Sequence, residues 1–358
     1  MAVHFHSLKI KNIKKETADC VSVSFHIPES AAPEFIFKEG QNITIKKEID
    51  GQQIRRSYSI CTAPYENELK VAIKAVDGGL FSKFANEDLQ TGDVLEVLPP
   101  TGKFNAKIYA RQTENFLAIA AGSGITPVIS IIKHSLKAND GNIFTLIYGN
   151  KSRSSIIFFE ELEGIKNKYM QRFNFINILS REKTDAELNY GRINTGKLEA
   201  LKQLINFKTF TAAYICGPEE MIFSSAAFLE NEGIAKSHIH YELFTTPGQK
   251  NVITTAQKLS ADAGPKSNIT VKLDGRSFSF DLAYKADSIL DAALAQGADL
   301  PYACKGGVCC TCRAKLVEGK VHMDVNYALE EEELEQGFIL CCQSHPLSEK
   351  VVVDFDVK

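Results

Sequence analysis

Four cysteines place the tightest constraint on this chain. Cys304, Cys309 and Cys312 follow one another as C-x4-C-x2-C, and Cys342 comes after 29 intervening residues. Two irons bridged by two sulfides need four thiolates, and this spacing is the plant-type [2Fe-2S] pattern. Gly306 and Gly307, between the first two cysteines, let a short loop fold its backbone close around sulfur. A structural zinc site is the competing reading. Zinc ligands usually come as two short C-x2-4-C pairs, however, and only one such pair is well spaced here. The same count makes Cys342, not Cys341, the fourth ligand, with Cys310 and Cys341 as non-ligating small residues. The other three of the nine cysteines, Cys20, Cys61 and Cys216, are scattered.

A chain of 358 residues exceeds one ordinary core and predicts two or three domains. With 44% hydrophobic and 24% charged residues the composition is globular. No apolar run approaches the roughly 18 residues a membrane helix needs, so no membrane partner is expected. The opening Met1 to His6 lacks a basic stretch followed by an apolar segment, which points to the cytoplasm, where clustered cysteines serve metals more than disulfides. From residue 269 onward 9 Lys and Arg face 15 Asp and Glu, net −6, against a whole-chain charge of −3. So small a net charge gives no argument for nucleic acid.

Residues 1–108 hold short β-rich runs (Val21 to Phe25, Asn42 to Ile45, Leu69 to Ile73) between Gly and Pro signals, the pattern of a small antiparallel barrel. Between 113 and 245, apolar strands (Phe116 to Ala120, Ile143 to Tyr148, Phe173 to Leu179, Ala212 to Cys216) alternate with helix-length segments such as Val128 to Lys137 and Pro218 to Glu232. Such alternation predicts a parallel α/β sheet. Residues 246–268 have linker composition, and 269–358 form a third unit with two strand-like runs, a helix over 288–296 and the cysteine cluster.

Four short motifs precede that cluster. Arg56-Ser57-Tyr58-Ser59 lies on a predicted strand, with Arg56 and Tyr58 on one face and Ser57 and Ser59 on the other. Gly79-Leu80-Phe81-Ser82 offers a glycine and a turn opening a helix, a place suited to pyrophosphate. Gly122-Ser123-Gly124-Ile125-Thr126-Pro127 joins an apolar strand to a helix and exposes backbone N–H groups to phosphate, with Pro127 in the first helical turn. Cys216-Gly217-Pro218 ends the last predicted strand of the sheet, at the edge where α/β ligands bind. Taken singly, each reads as an ordinary turn, core residue or solvated side chain.

In this order the four motifs resemble the ferredoxin-NADP reductase superfamily over about two-thirds of the chain, and the C-terminal cysteines resemble a plant-type ferredoxin. The order of flavin, nicotinamide and ferredoxin parts is that of multicomponent-oxygenase reductases. Cys304 to Arg313, Val325 to Leu329 and Cys342 to Pro346 look most like the reductases of phenylacetyl-CoA epoxidase complexes. The resemblance implies a six-stranded flavin barrel, a nicotinamide-binding α/β domain and a β-grasp ferredoxin, carrying FAD, NADPH and a [2Fe-2S] cluster. It implies that Arg56 binds flavin phosphate, Tyr58 stacks on the isoalloxazine, Ser59 hydrogen-bonds near its N5, and Thr126 and Cys216 flank the nicotinamide. Ser57, Lys74, Gly79 to Ser82, Gly122 to Gly124, Pro127, Gly217 and Pro218 complete the cofactor-binding set.

NADPH is expected over NADH. The second α/β strand ends in Tyr148-Gly149-Asn150-Lys151 without the acid that holds an NAD ribose. The third ends in Leu179-Ser180-Arg181-Glu182, which resembles the Ser-Arg pair of NADP-dependent relatives. Nicotinamide gives two electrons as hydride and a [2Fe-2S] cluster takes one, so a flavin must sit between them. The expected partner is an oxygenase component, met through the ferredoxin part; Glu330 to Glu333 and Glu335 read either as charges that help steer it or as a solvated acidic helix face. A reductase of a Rieske-type or other di-iron aromatic oxygenase is the alternative, and from another class a redox sensor without turnover.

Overall fold

Period-two burial builds the first sheet. Leu8 and Ile10 of β1 (His6–Thr17), Val21, Val23 and Phe25 of β2 (Cys20–His26), and Ile43 and Ile45 of β3 (Asn42–Ile49) enter one apolar cluster. They are joined there by Val71 and Ile73 of β5 (Lys70–Lys74) and by Leu95 and Val97 of β6 (Val94–Val97). With β4 (Gln52–Ser59) the strands run in the order β4-β3-β6-β1-β2-β5. An antiparallel bridge from Ile60, just past β4, to Val71 in β5 closes the ring. Helix α1 (Leu80–Glu87) buries Phe81 and Ala85 in the same core.

The computed structural model describes residues 4–105, 113–244, 265–284 and 286–357, and the chain divides into two compact units. The larger holds the barrel and a five-stranded sheet of β7 (Asn115–Ala121), β8 (Ile143–Asn150), β9 (Phe173–Leu179), β10 (Ala212–Cys216) and β11 (Ile239–Glu242). Every neighbouring pair is parallel, and the order is β11-β10-β7-β8-β9. Helices α2 (Ile125–Ala138), α3 (Phe159–Lys168), α4 (Thr195–Leu201) and α5 (Glu219–Asn231) make the connections. Strands β7 to β10 match the predicted ones, and β11 is an addition.

In the smaller unit β12 (Lys266–Leu273) and β13 (Arg276–Ala283) form a hairpin. Its turn residues Asp274 and Gly275 sit at φ 56° and 68°, the left-handed values an Asp-Gly hairpin turn adopts. The first 19 residues of the predicted linker 246–268 lie outside the described residues, and β12 begins inside its last three. Helix α6 (Ile289–Ala295) is capped by Ser288, whose hydroxyl accepts from the Asp291 N–H at 3.2 Å. Strands β14 (Arg313–Glu318), β16 (Phe338–Leu340) and β18 (Lys350–Asp354) complete the order β13-β12-β18-β14-β16. Only the β12–β18 pair of that sheet is parallel. Strands β15 (Val321–Met323) and β17 (Ser344–Pro346) form a separate ribbon. The acidic run itself forms helix α7 (Glu331–Glu335), but Glu333 does not belong to the exposed acid: it is buried, pairs with Arg313 and caps the N–H of Glu330.

Candidate redox site

The parallel sheet reverses direction at β7. The chain runs from β7 outward through β8 and β9, then returns to place β10 on the other side of β7. Such a reversal opens a crevice beyond the carboxyl ends of the two strands. Gly122-Ser123-Gly124 leads from β7 into α2 there, and Cys216-Gly217-Pro218 leads from β10 into α5. The two turns press together. A Cβ on Gly124 would run into the carbonyl of Cys216, and one on Gly217 would lie 2.6 Å from Met221 Cε and 3.1 Å from Ala121 Cβ. Gly122 takes φ +53°, and its carbonyl accepts from the buried Tyr148 hydroxyl at 2.8 Å. Thr126 is buried, its hydroxyl donating to Ser123 O at 3.0 Å, and Pro127 occupies the first turn of α2.

The barrel supplies the facing side. Tyr58 and Ser59 end β4, with the Tyr58 ring half-buried against Phe81 at 5.7 Å between centroids. Ser59 is buried and donates to Glu242 Oε2 at 3.2 Å. Glu242 ends β11 in register with Cys216 of β10, so Ser59, Glu242 and Cys216 meet at one point. Arg56 is exposed on β4, its guanidinium donating to the Arg55 carbonyl at 2.7 Å, and Ser57 beside it is half-buried. Lys74 ends β5, and its Nζ would lie 3.9 Å from a Cβ on Gly122, which brings it to the same turn. The tetrapeptide Gly79 to Ser82 is divided in use. Gly79 caps α1 and Leu80 is exposed, but Phe81 is buried in the barrel core. The Ser82 hydroxyl is spent holding the turn, donating to Gly79 O and accepting from Val76 N, both at 3.1 Å.

Sequence reasoning missed Glu242. A four-residue strand carries too little alternation to be read, and a lone Glu reads as solvent-facing. Burial of its carboxyl pushes Glu242 up to about 7, with the Ser59 hydrogen bond pulling the other way. Burial likewise pushes the Cys216 thiol up, and the Glu242 charge adds to that. An acid raised in the folded protein keeps its proton where the unfolded chain has lost it, so this group lowers stability as pH rises from about 4.5 to about 7. Replacing Glu242 by Gln removes that dependence. Thermal melts should show the gain of Glu242→Gln over wild type growing between pH 5 and pH 8; a gain equal at both pH values would place the ordinary carboxylate there.

At the other end of the same sheet edge Ser180 and Arg181 follow β9. Ser180 donates from both its N–H (2.9 Å) and its hydroxyl (3.2 Å) to Asn150 O, and the Arg181 N–H donates to Lys151 O at 2.8 Å. These bonds tie the ends of β8 and β9 together and leave the Arg181 side chain exposed beyond the crevice.

In the smaller unit the cysteine loop runs from α6 to β14. Lys305 and Gly307 sit at φ 52° and 74°, which folds the loop back so that the Gly306 N–H donates to Cys304 Sγ at 3.3 Å. The Cys309 thiol lies 3.2 Å from Cys304 Sγ, and the Cys342 thiol bonds to those of both Cys304 and Cys312. The Gln343 amide donates to Cys342 Sγ at 3.6 Å. The bonds from Cys309 and Cys342 hold the Cys304 thiol far below its ordinary range, and the same contacts push Cys309 and Cys342 up. Cys341 differs: burial dominates its environment and raises its thiol, while its N–H donates to Cys312 O at 3.1 Å. Cys310 turns its thiol to Ala328 O at 3.1 Å. The four thiols of Cys304, Cys309, Cys312 and Cys342 thus gather at one place, three from the loop and one from the turn after β16, a donor set that fits an iron-sulfur cluster.

Three family models cover these parts in turn: an oxidoreductase FAD-binding domain over residues 7–106, an oxidoreductase NAD-binding domain over 118–226, and a 2Fe-2S iron-sulfur cluster binding domain over 271–347. The protein is thus an electron-transferring oxidoreductase with FAD, a nicotinamide nucleotide and a [2Fe-2S] cluster as its cofactors. It is 44% identical to one of the subunits of 1,2-phenylacetyl-CoA epoxidase from Escherichia coli K12, covering 99% of this chain and 98% of that one. It is 31% identical to the ferredoxin reductase component of 3-ketosteroid-9-alpha-monooxygenase from Rhodococcus rhodochrous, covering 97% and 96%. Among solved structures, phthalate dioxygenase reductase superposes with a TM-score of 0.57 at 23% identity over 98% of both chains, which shows the shared fold. The chain belongs to this family of three-domain flavin and iron-sulfur reductases. Among the described residues no helix is long and apolar enough to cross a membrane.

Proposed function

We propose that this protein passes electrons from NADPH, through FAD and the [2Fe-2S] cluster, to the oxygenase component of a phenylacetyl-CoA epoxidase. The observation that carries this reading is the 44% identity with a polypeptide of that enzyme over nearly the full length of both chains. When bound, the flavin accepts a hydride's two electrons and releases them singly to the iron pair. The chain's own residues position and insulate. Arg56, Lys74 and the turn at Gly79 hold flavin phosphates, Tyr58 packs on the ring system, and Ser59 with Glu242 sets the hydrogen bonding at its reactive edge. Gly122 to Pro127 and Cys216 to Pro218 seat the nicotinamide against that edge, with buried Thr126 and Cys216 keeping water out. Cys304, Cys309, Cys312 and Cys342 ligate the cluster.

A plant-type cluster near about −400 mV is a strong one-electron donor, suited to stepwise reduction of a metal centre in an oxygenase. Exposed Glu330, Glu331, Glu332 and Glu335 offer charge for steering a basic partner face, while the buried Glu333 is withdrawn from that role. In reconstitution with the purified epoxidase oxygenase, NADPH-driven reduction should proceed at a useful rate and slow with rising salt. Brisk transfer to a Rieske dioxygenase with none to the epoxidase would move the protein to that partner class. A salt-independent rate would remove only the docking role of the glutamates.

A further inference from the structure

One face of α2 is pinned to the flavin barrel by polar side chains. Ser130, Lys133 and His134 share it at the i, i+3, i+4 spacing. The Ser130 hydroxyl, fully buried, donates to Thr62 O at 2.6 Å and accepts from Gly40 N at 3.4 Å. Lys133 is 5% exposed, and its ammonium bridges Glu66 Oε2 at 2.7 Å and Glu161 Oε1 at 2.8 Å. Glu39 faces His134 at 3.6 Å. Glu66 belongs to the barrel, on the segment that follows Tyr58 and Ser59, and its carboxylate also accepts from the Ala63 N–H at 2.5 Å. Glu161 lies on α3, inside the nicotinamide domain. Burial works against the Lys133 charge, but the two carboxylates outweigh it and hold the ammonium above its ordinary range.

A buried lysine with two carboxylates is poor evidence for stability, because desolvation cancels most of the attraction. Its placement gives it another use. Lys133 stands about two helical turns after Thr126, on the helix whose first residues leave the Gly122–Gly124 turn. Its barrel partner Glu66 lies a few residues past Ser59. We infer that Lys133 is a positioning residue for hydride transfer: its Glu66 arm, with Ser130 on Thr62, holds the nicotinamide turn in register with the flavin edge. The Glu161 arm only anchors the lysine within its own domain. Hydride transfer requires the reacting atoms at about 3–3.5 Å, and a shift of about 1 Å costs as much as 100-fold in rate.

The two carboxylates allow a matched test in the holoprotein. Glu66→Gln and Glu161→Gln each replace one of the two carboxylates on the same ammonium by a neutral amide, a weaker acceptor. Glu66→Gln should slow single-turnover flavin reduction by saturating NADPH by about ten- to a hundredfold. It should weaken the long-wavelength nicotinamide–flavin charge-transfer absorbance and leave the Kd for NADP+ unchanged. Hydrogen exchange at residues 61–66 and 130–137 should quicken in that variant. Glu161→Gln should keep the wild-type rate and absorbance, and Lys133→Arg should retain most of both. Equal slowing in the two Gln variants, or in neither, overturns the assignment, as does a raised Kd with an unchanged rate. Ser130→Ala carries the same expectation as Glu66→Gln and decides the matter should that variant fail to fold. Absence of flavin reduction in the wild type would instead reject the nicotinamide reading itself.

Discussion

Replacing Cys342 by Ser is expected to abolish the visible absorbance of the iron-sulfur cluster, while Cys341→Ser leaves it intact. The two residues are adjacent, so solvent access and chain position barely separate them; side-chain direction does. The Cys342 thiol lies against Cys304 and Cys312, and the Gln343 amide is turned toward its sulfur. Cys341 is fully buried among Leu290, Ile339 and Leu340 in the core of the C-terminal unit. A hydroxyl in place of a thiolate is a harder, shorter ligand, and losing one of two thiolates on an iron leaves the pair under-coordinated. In Cys341→Ser the cost falls on stability, about 1–3 kcal/mol for a hydroxyl among apolar side chains. Absorbance spectra and melting temperatures of both variants check this together. Flavin reduction by NADPH should persist in Cys342→Ser, while electron delivery beyond the flavin stops. Variants behaving the opposite way round would show the ligand register to be displaced by one residue.

What the sequence made legible was local. The C-x4-C-x2-C spacing, the glycine turn after an apolar strand, and alternating strand and helix lengths are each written within a dozen residues. Backbone geometry alone carries their meaning. The residues that escaped notice depend on chain segments far apart. Glu242 becomes significant only because β11 pairs with β10 and sets it beside Cys216 and, from the barrel, Ser59. Lys133 reads as the polar stripe of an amphipathic helix until Glu66 arrives from the barrel and Glu161 from α3. Misreadings have the same origin. Glu333 belongs to an acidic run, but the antiparallel β14–β16 pair brings Arg313 to the helix that the run itself forms, and an ion pair draws Glu333 inward. Phe81 sits within a helix-opening motif that suits phosphate, yet amphipathic packing turns the ring into the barrel, beside Tyr58.

Arg181→Ala should collapse the preference for NADPH over NADH. Discrimination between the two nucleotides rests on one phosphate, so the protein must offer that group a partner that NADH cannot use. The hydrogen bonds from Ser180 and Arg181 to the carbonyls of Asn150 and Lys151 fix the backbone at the ends of β8 and β9. They leave the Arg181 guanidinium exposed at the edge where these strands end, with no acidic residue among Tyr148 to Lys151 to favour a bare ribose. A planar guanidinium meets phosphate with two parallel donors, which a point charge such as lysine does not reproduce. Charge-assisted bonds of this kind contribute about 1.5–3 kcal/mol, a factor of about 10 to 150 in the ratio of kcat/KM values. The loss should fall on the KM for NADPH, with kcat and the NADH constants almost unchanged, because the 2′-phosphate is remote from the transferred hydride. Arg181→Lys should recover only part of the preference. Salt supplies an independent check: the KM for NADPH should rise with ionic strength in the wild type and much less in Arg181→Ala. Full retention of the NADPH preference in Arg181→Ala would falsify the assignment and transfer the role to the neighbouring exposed cations Lys151, Arg153 or Lys183.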